Sequence, residues 1–324
     1  MHSFKEFQNI ISQEIKNLKI NKFPRELYEP IEYILDIGGK RLRPVITLMV
    51  CELFDGDINK AKTPAIGMEI FHNFTLMHDD IMDKADIRRG KTTVHKKWDK
   101  NRAILSGDAM LIVANQLMLE TDDDILREVM VLYNKSGLLV CDGQQYDMNF
   151  ELSKNISIPD YMKMIELKTA SLISGCCKLG AVLAKTSEEN KNLIEEFGYN
   201  LGISFQLEDD CLDTFGNENI FGKQIGGDIL ANKKTYLYLK AYELADKNTK
   251  KELEQWYSTT THKEKEKIKA VLNIFNKLKV KDKIRSKSKQ YFYKAIKNLD
   301  SIKVSQEKKK NLLDLSNYLV NRDY

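Results

Sequence analysis

The C-terminal third of the chain lacks the residues that usually break helices. Beyond Gly227 there is neither glycine nor proline as far as residue 324, and the five prolines all lie before residue 160. β-Hairpins need turn residues, so a segment this long without them indicates helices. Apolar residues make up 42% of the sequence, enough for a buried core, and no stretch has the composition of a linker. We therefore predict an all-α fold, with residues 1–324 forming a single-domain helical bundle.

Apolar residues that recur every three or four positions predict individual helices. An opening amphipathic helix carries Phe4 to Leu18 on one stripe, and a second helix ends at Gly38, because glycine is common just past a helix end. Pro44 suits the first turn of a third helix. Further apolar helices are predicted over residues 67–82, 104–119, 161–183 and 194–207. Gly107, inside one of them, indicates a place where two segments pack closely.

Charge and cysteine usage argue against several classes of protein. The 51 basic and 47 acidic residues give a net charge of +4, with the excess spread along a Lys-rich C-terminal third. No basic motif interleaved with aromatics accompanies it, so we expect solvated helix faces and no nucleic-acid partner. The five cysteines are an odd set without CxxC spacing, which favours a reduced, cytoplasmic protein. No uncharged apolar run reaches about 18 residues, and charges throughout the first 20 residues argue against a signal peptide. We therefore expect no stable membrane insertion.

Two motifs with the pattern Asp-Asp-x-x-Asp carry the strongest chemical signal. Each comes at the end of a largely apolar helix, and they lie 130 positions apart: Asp79, Asp80 and Asp83, then Asp209, Asp210 and Asp213. The first and last aspartates of a motif lie one turn apart on one helix face, where like charges repel unless a cation binds between them. Carboxylate oxygens suit Mg²⁺, which commonly carries a phosphate-bearing substrate. One such motif is often only a solvated acidic face, but two on apolar helices predict clusters that hold several divalent ions around one diphosphate.

Basic residues near these motifs predict binding of a polyanion. Lys40, Arg41 and Arg43 come directly before an apolar run, as an anion clamp or a surface loop, because arginine presents forked donors that match phosphate oxygens. Arg88 and Arg89 follow the first aspartate motif within a few residues.

Other polar residues lie on predicted helices or close to the second motif. His72, on the helix of the first motif, is either a structural residue or a ligand. The pair Lys168 and Thr169 would need an anion to neutralise it if it faced inward. Lys223 and Lys233 follow the second motif in a glycine-containing segment, as a basic lid or simply a charged loop.

Together these motifs resemble one family, the trans-type polyprenyl (isoprenyl) diphosphate synthases of the farnesyl and geranylgeranyl class. The resemblance covers most of the chain and rests on both aspartate motifs and on residues 38–44, 88–90, 143–147, 168–169 and 205–206. By contrast, the chain has no Walker P-loop, Rossmann fingerprint, HExxH, Gly-x-Ser-x-Gly or zinc-ligand spacing. The resemblance implies an all-α bundle around a central apolar cavity and a homodimer. It also implies Mg²⁺-dependent head-to-tail condensation of isopentenyl diphosphate with an allylic diphosphate.

The resemblance further implies a role for each matching residue. Asp79 and Asp83 would bind two Mg²⁺ and Asp209 the third, with Asp80, Asp210 and Asp213 acting through metal-bound water. The diphosphate of isopentenyl diphosphate would be bound by Lys40, Arg43, His72 and Arg89. The allylic diphosphate, whether dimethylallyl, geranyl or farnesyl, would be bound by Arg88, Lys168, Thr169, Gln206, Lys223 and Lys233. Lys168 and Lys233 join the six aspartates as the expected catalytic residues. Asn232 departs from the family pattern, in which a glycine usually precedes the lid lysine.

Product length is expected to depend on aromatic residues before the first motif. The resemblance implies that Phe74, five positions before Asp79, limits the product to C15 or C20, with Phe71 one turn further back. Core packing is the alternative role for both phenylalanines. Two other activities also stay open. A class I terpene cyclase typically has a second metal motif of Asn/Ser/Glu type, and a non-catalytic partner subunit commonly loses one aspartate motif, whereas both motifs are intact here.

Overall fold

The computed structural model describes residues 1–18, 20, 22–153, 155–216, 226–258 and 263–320. Over these residues the chain is almost entirely helical, which confirms the predicted all-α class. The helices are α1 Phe4–Asn17, α2 Arg25–Asp36, α3 Leu42–Leu53, α4 Ile58–Met82, α5 Val94–Lys97, α6 Lys100–Leu119, α7 Asp123–Leu152, α8 Ile158–Ile165, α9 Ser171–Leu183, α10 Glu188–Phe215, α11 Gly227–Leu230, α12 Tyr236–Leu244, α13 Lys247–Ser258, α14 Glu264–Lys277, α15 Val280–Ser301 and α16 Gln306–Val320. A π-helical turn, Glu166–Ala170, joins α8 to α9, and β1 Ile87–Arg88 pairs antiparallel with β2 Lys91–Thr92.

The predicted helices agree with the structure except at two places. The predicted opening helix is α1. The second helix, α2, ends just before Gly38, whose φ of +81° is easily adopted by glycine. The predicted long helix over residues 161–183 is present, but a π turn, Glu166–Ala170, lies within it, and the sequence did not predict this turn. The second aspartate motif was also expected to follow its helix, whereas α10 continues through it to Phe215. The short β-hairpin was not predicted at all.

The chain divides into two compact units, each with its own buried core. The first comprises residues 1–134, 175–194 and 302–312, and the second residues 135–174, 195–301 and 313–324. In the first unit α4 packs against α3 and α6. Glycines allow this close approach: a Cβ on Gly67 would lie 2.9 Å from the Met118 side chain, and Gly107 abuts the His78 ring. The predicted close packing at Gly107 is therefore confirmed.

The core of the second unit is built from α8, α10, α12 and α14. Ile165, Leu207, Leu237 and Phe275 are each at most 1% exposed within it. At Gly202 a Cβ would lie 2.7 Å from the Ala170 Cα, so α10 runs close to the π turn. The core thus places the second aspartate motif and the Lys168 segment on neighbouring helices.

Candidate active site

The last turn of α4 carries the first aspartate motif. Asp79 is half-buried and Asp83 exposed, whereas Asp80 is only 2% exposed. Helical geometry continues to the end of the motif, because the Asp83 N–H donates to the Asp79 carbonyl at 2.8 Å. The outer two aspartates are therefore one turn apart, and the middle one points into the protein.

Arg88 binds this buried middle aspartate. Its Nε lies 2.8 and 2.9 Å from the two carboxylate oxygens of Asp80, and its Nη2 lies 2.7 Å from Oδ1. Burial raises the pKa of Asp80, and Arg88 opposes this by hydrogen bonding and charge. The hairpin that brings Arg88 to this place turns at Gly90, where φ is +74°. Arg88 was expected to bind substrate, and here it holds an aspartate of the motif.

A basic cluster lies at the start of α3 and beside the middle of α4. Arg43 Nη1 is 2.8 Å from His72 Nε2. Burial lowers the pKa of His72 well below its ordinary value, and the neighbouring arginines, Arg43 first, lower it further. The imidazole is therefore neutral at pH 7 and accepts the hydrogen bond from Arg43, which assigns the proton to Nδ1.

Arg89 extends this basic cluster. Its guanidinium donates to the Gly38 carbonyl and occupies the space beside Gly39, where a Cβ would lie 2.5 Å from Nη1. Burial and the charges of Arg88, Arg41 and Arg43 lower the pKa of Arg89, although Glu69 opposes them. Like charges held this close make the cluster a favourable place for an anion. Lys40, which is exposed, begins the same segment.

Arg41 does not belong to the exposed clamp that the sequence predicted. It is 7% exposed, its Nη1 lies 2.7 Å from Glu69 Oε1, and its Nη2 donates to the Leu35 carbonyl. Glu69 is itself 2% exposed, so the two charges neutralise each other inside the protein. The prediction of three clamp cations was therefore wrong for Arg41, which joins α2 to α4. An acidic residue inside an apolar helix was the sequence signal for this pair, and it was overlooked.

In the second unit the second motif repeats the arrangement of the first. Asp209 and Asp213 are half-buried, whereas Asp210 is 3% exposed. Asp210 accepts hydrogen bonds from the Tyr161 hydroxyl and from Gln206 Nε2, the latter at 2.9 Å. Burial raises the pKa of Asp210 well above its ordinary value, and the charges of Asp228 and Asp209 add to this effect. Both motifs thus have a buried middle carboxyl group with dedicated hydrogen-bond donors.

The π turn positions Lys168 and Thr169 beside the second motif. Thr169 Oγ1 donates to Gln206 Oε1 at 2.9 Å, so a chain of hydrogen bonds runs from Thr169 through Gln206 to Asp210. Lys168 Nζ lies 2.7 Å from Asp147 Oδ2. The carboxylate of Asp147 therefore supplies the negative charge that Lys168 needs inside the protein. Gly143 makes the approach possible, because a Cβ there would overlap the Lys168 backbone.

The segment after the second motif folds back onto Asp213. The Gly226 N–H donates to the Asp213 carbonyl at 2.7 Å, and the Asp228 N–H donates to its carboxylate at 2.9 Å. The Lys233 N–H in turn donates to the Asp228 carbonyl at 2.9 Å. Asn232 has a φ of +57°, which explains why an asparagine can stand where the family usually has glycine. Lys223 lies outside the described residues.

Aromatic side chains line α4 before the first motif. Phe71, 3% exposed, has its ring centroid 5.6 Å from that of Phe74 and 5.5 Å from that of Tyr133. The half-buried Phe74 ring also lies edge-on to His78, with centroids 4.8 Å apart. Phe74 is therefore held between two rings rather than packed in the centre of the core.

Comparisons with known proteins identify the family of this chain. The family model described as polyprenyl synthetase matches residues 24–275. A geranylgeranyl diphosphate synthase of Methanosarcina mazei is 33% identical over 303 residues, which cover 93% of this chain and 91% of the relative. The crystal structure of a geranylgeranyl pyrophosphate synthetase from Pyrococcus horikoshii superposes with a TM-score of 0.92 at 32% identity, covering 99% of this chain and 98% of the other. A further crystal structure of a geranylgeranyl pyrophosphate synthase has a TM-score of 0.94 at 43% identity and covers both chains completely.

The chain belongs to the polyprenyl synthetase family. The resemblance found in its motifs is confirmed, and the protein is a trans-prenyltransferase that condenses isopentenyl diphosphate with an allylic diphosphate. Within the described parts of the chain, no helix is long and apolar enough to cross a membrane.

The polyprenyl synthetase family is generally Mg²⁺-dependent, and the aspartates of this chain fit such an ion. Among the described residues no three or more His, Cys, Asp or Glu side chains are arranged as a complete metal site. Mg²⁺ is usually bound by one or two carboxylates together with substrate phosphates and water, so a complete protein site is not needed. The partly exposed outer aspartates Asp79 and Asp83 provide hard oxygen ligands of this kind on one helix face.

The sequence did not reveal the residues that hold the middle aspartates. Tyr161 is 49 positions from Asp210, and no local pattern connects them. Asp147 was visible as part of a family motif, but its pairing with Lys168 was not. These contacts depend on how helices pack, which spacing along the chain does not contain.

Proposed function

We propose that this trans-prenyltransferase makes a C20 product, geranylgeranyl diphosphate, by successive additions of isopentenyl diphosphate to an allylic primer. The curated relatives from Methanosarcina mazei and Saccharolobus solfataricus, 33% and 36% identical, are geranylgeranyl diphosphate synthases. The observation that carries the proposal is Phe74, whose ring is held by Phe71 and His78 five positions before Asp79. A bulky ring that its neighbours hold in place there would block further growth of the prenyl product.

We propose that Mg²⁺ is the metal, with three ions bound. Asp79 and Asp83 would bind two of them and Asp209 the third, while Asp80, Asp210 and Asp213 would act through bound water or by orienting the outer carboxylates. Burial of Asp80 and Asp210 with their donors supports the orienting role. The bound ions would neutralise the charge that develops on the leaving diphosphate.

Two groups of residues would bind the two substrates. Lys40, Arg43, His72 and Arg89 would bind the diphosphate of isopentenyl diphosphate, which the mutual closeness of the Arg43, His72 and Arg89 side chains supports. The allylic diphosphate would be bound by Arg88, Lys168, Thr169, Gln206, Lys223 and Lys233. Lys168 and Lys233 would also stabilise the departing diphosphate. Arg88 already pairs with Asp80 of the first motif and Lys168 with Asp147, which lies outside both motifs, so each would bind a protein carboxylate as well as the substrate.

The reaction proceeds by loss of diphosphate from the allylic substrate. The C1–O bond breaks, and both electrons leave with the diphosphate oxygen. The double bond of isopentenyl diphosphate then attacks the allylic cation, and a new C–C bond forms. A proton then leaves C2 of the isopentenyl unit. No side chain is obvious as the base, so we assign the proton to the released diphosphate. Positioned cations stabilise the transition state more than the ground state, which is the origin of the rate enhancement.

We further propose that the chain works as a homodimer, as one polyprenyl synthetase domain over residues 1–324, in the cytoplasm. α6 exposes Leu105, Ile112 and Leu119, which recur every seven residues on one helix face and suit a partner surface. All five cysteines are thiols, and four of them are buried, which supports a reducing compartment.

A single assay tests the function. The purified protein is incubated with Mg²⁺, labelled isopentenyl diphosphate and, separately, dimethylallyl, geranyl or farnesyl diphosphate, and the dephosphorylated products are separated by chain length. We expect C20 from all three primers. A cyclic hydrocarbon would indicate a terpene cyclase, and the absence of turnover with every primer would indicate a non-catalytic subunit.

A further inference from the structure

One helix, α15, carries more net positive charge than any other described helix. α15 carries seven basic and two acidic residues, a net charge of +5, whereas the whole chain has a net charge of +4. Residues 217–324 as a whole carry 25 basic and 13 acidic residues, a net charge of +12. The excess charge lies in the Lys-rich C-terminal third, as expected, and α15 is its most basic helix; three aromatic residues, Tyr291, Phe292 and Tyr293, come soon after Lys289.

α15 has a buried and an exposed face. Ile284, Ala295 and Leu299 are completely buried, and the helix packs against α12 and α14. The opposite face, here called the basic face, consists of Lys283, Lys289, Tyr293, Lys294 and Lys297. Its four lysines are exposed, and none of them forms an ion pair with a described residue. Their charge is therefore available to an external anion.

The basic face also contains a shallow cavity and an exposed aromatic ring. The cavity measures about 480 Å³ and is lined by Asp282, Arg285, Ser286, Lys289, Gln290 and Tyr293. Cationic and polar donors on one helix face suit a phosphate group. Tyr293 is 66% exposed, and tyrosine beside lysine is common where proteins meet the headgroup region of a bilayer.

We propose that the basic face of α15 docks the enzyme on the surface of an anionic phospholipid bilayer. The charge is complementary to such a surface, and the cavity accepts a headgroup phosphate. The product supports a bilayer over nucleic acid as the partner, because a prenyl diphosphate is amphiphilic and its hydrocarbon chain partitions into lipid. Docking leaves the helix on the surface, and requires no membrane-spanning segment.

Vesicle binding tests this proposal on the full-length enzyme. Sedimentation is measured with neutral phosphatidylcholine vesicles and with vesicles that contain about one-third phosphatidylglycerol, at low and high salt. We expect binding to the anionic vesicles alone, and its loss at high salt because the attraction is electrostatic. The variant Lys289→Glu/Lys297→Glu should bind at least about 25-fold more weakly, since each basic residue near an anionic surface contributes roughly fivefold.

A matched control separates position from net charge. Lys5→Glu/Lys16→Glu on α1 also reverses two exposed lysines, and so has the same net charge as the α15 variant. It should bind the vesicles like the parent protein, and both variants should retain parental turnover with soluble substrates. Equal weakening by the two variants, binding to neutral vesicles, or tighter binding of the parent to duplex DNA than to anionic vesicles would each overturn the proposal.

Discussion

The pair formed by Asp80 and Arg88 makes a quantitative prediction about stability. Asp80 is almost completely buried, and the side chain of Arg88 is 25% exposed. Removing one partner of a buried ion pair leaves a charge without compensation, which costs about 3–5 kcal/mol. Because water reaches part of Arg88, we expect the variant Arg88→Met to lose about 2–3 kcal/mol of unfolding free energy at pH 7.5. The measurement is urea unfolding followed by circular dichroism.

The same variant predicts a specific dependence on pH. Burial already raises the folded-state pKa of Asp80, and Arg88 is the main group that lowers it. Without Arg88 this pKa rises further. A carboxyl group whose folded-state pKa exceeds its unfolded value destabilises the fold when ionised, and stability returns as the pH falls through the folded-state pKa. The deficit of Arg88→Met relative to the parent should therefore be smaller at pH 5.5 than at pH 7.5.

Two comparisons decide whether this reasoning is correct. Lys91→Met removes an exposed cation from the same hairpin and should leave the unfolding free energy unchanged within about 0.5 kcal/mol. Asp80→Asn/Arg88→Met removes both charges and should be more stable at pH 7.5 than Arg88→Met alone. A deficit that is the same at pH 7.5 and 5.5, or a double variant less stable than the single one, would refute a buried ion pair.

Four further variants test the site. Asp79→Ala or Asp209→Ala should lower kcat by about 10²–10³ without changing the unfolding midpoint, and near-parental turnover would remove either residue from the metal site. Phe74→Ala should shift the dephosphorylated products beyond C20 on reversed-phase chromatography. Phe292→Ala, on α15, should leave the product distribution unchanged. An unaltered product distribution for Phe74→Ala would mean that another residue limits the length of the product. Asn232→Val should destabilise the protein by about 1–2 kcal/mol because φ there is positive and because the buried Lys267 loses its acceptor, Asn232 Oδ1. Asn232→Asp keeps the acceptor and tolerates this φ, so it should not destabilise the protein, and equal midpoints for the two variants would contradict this account.

Much of the site could be predicted from the sequence because the relevant patterns are local. Asp79 and Asp83 are four residues apart, so their relative position follows from helical geometry alone. The same holds for the helix end at Gly38 and for Pro44 in the first turn of α3. Where the backbone departs from regular geometry, prediction failed. Nothing in the apolar pattern of residues 161–183 distinguishes a π turn from an α-helix.

The aspartate motifs show what the sequence by itself determined about this protein and what only the tertiary structure decided. Spacing and composition established helices, two acidic triplets on them and nearby cations, because each depends on residues within a turn or two. These local patterns do not show that Asp80 and Asp210 are more buried than the other two aspartates of their motifs. Arg88 reaches Asp80 through a hairpin, and Tyr161 reaches Asp210 across 49 positions through packing of α8 on α10. Burial of one carboxyl group and exposure of its neighbours arises only when the helices pack, because packing alone determines which side of a helix is removed from water.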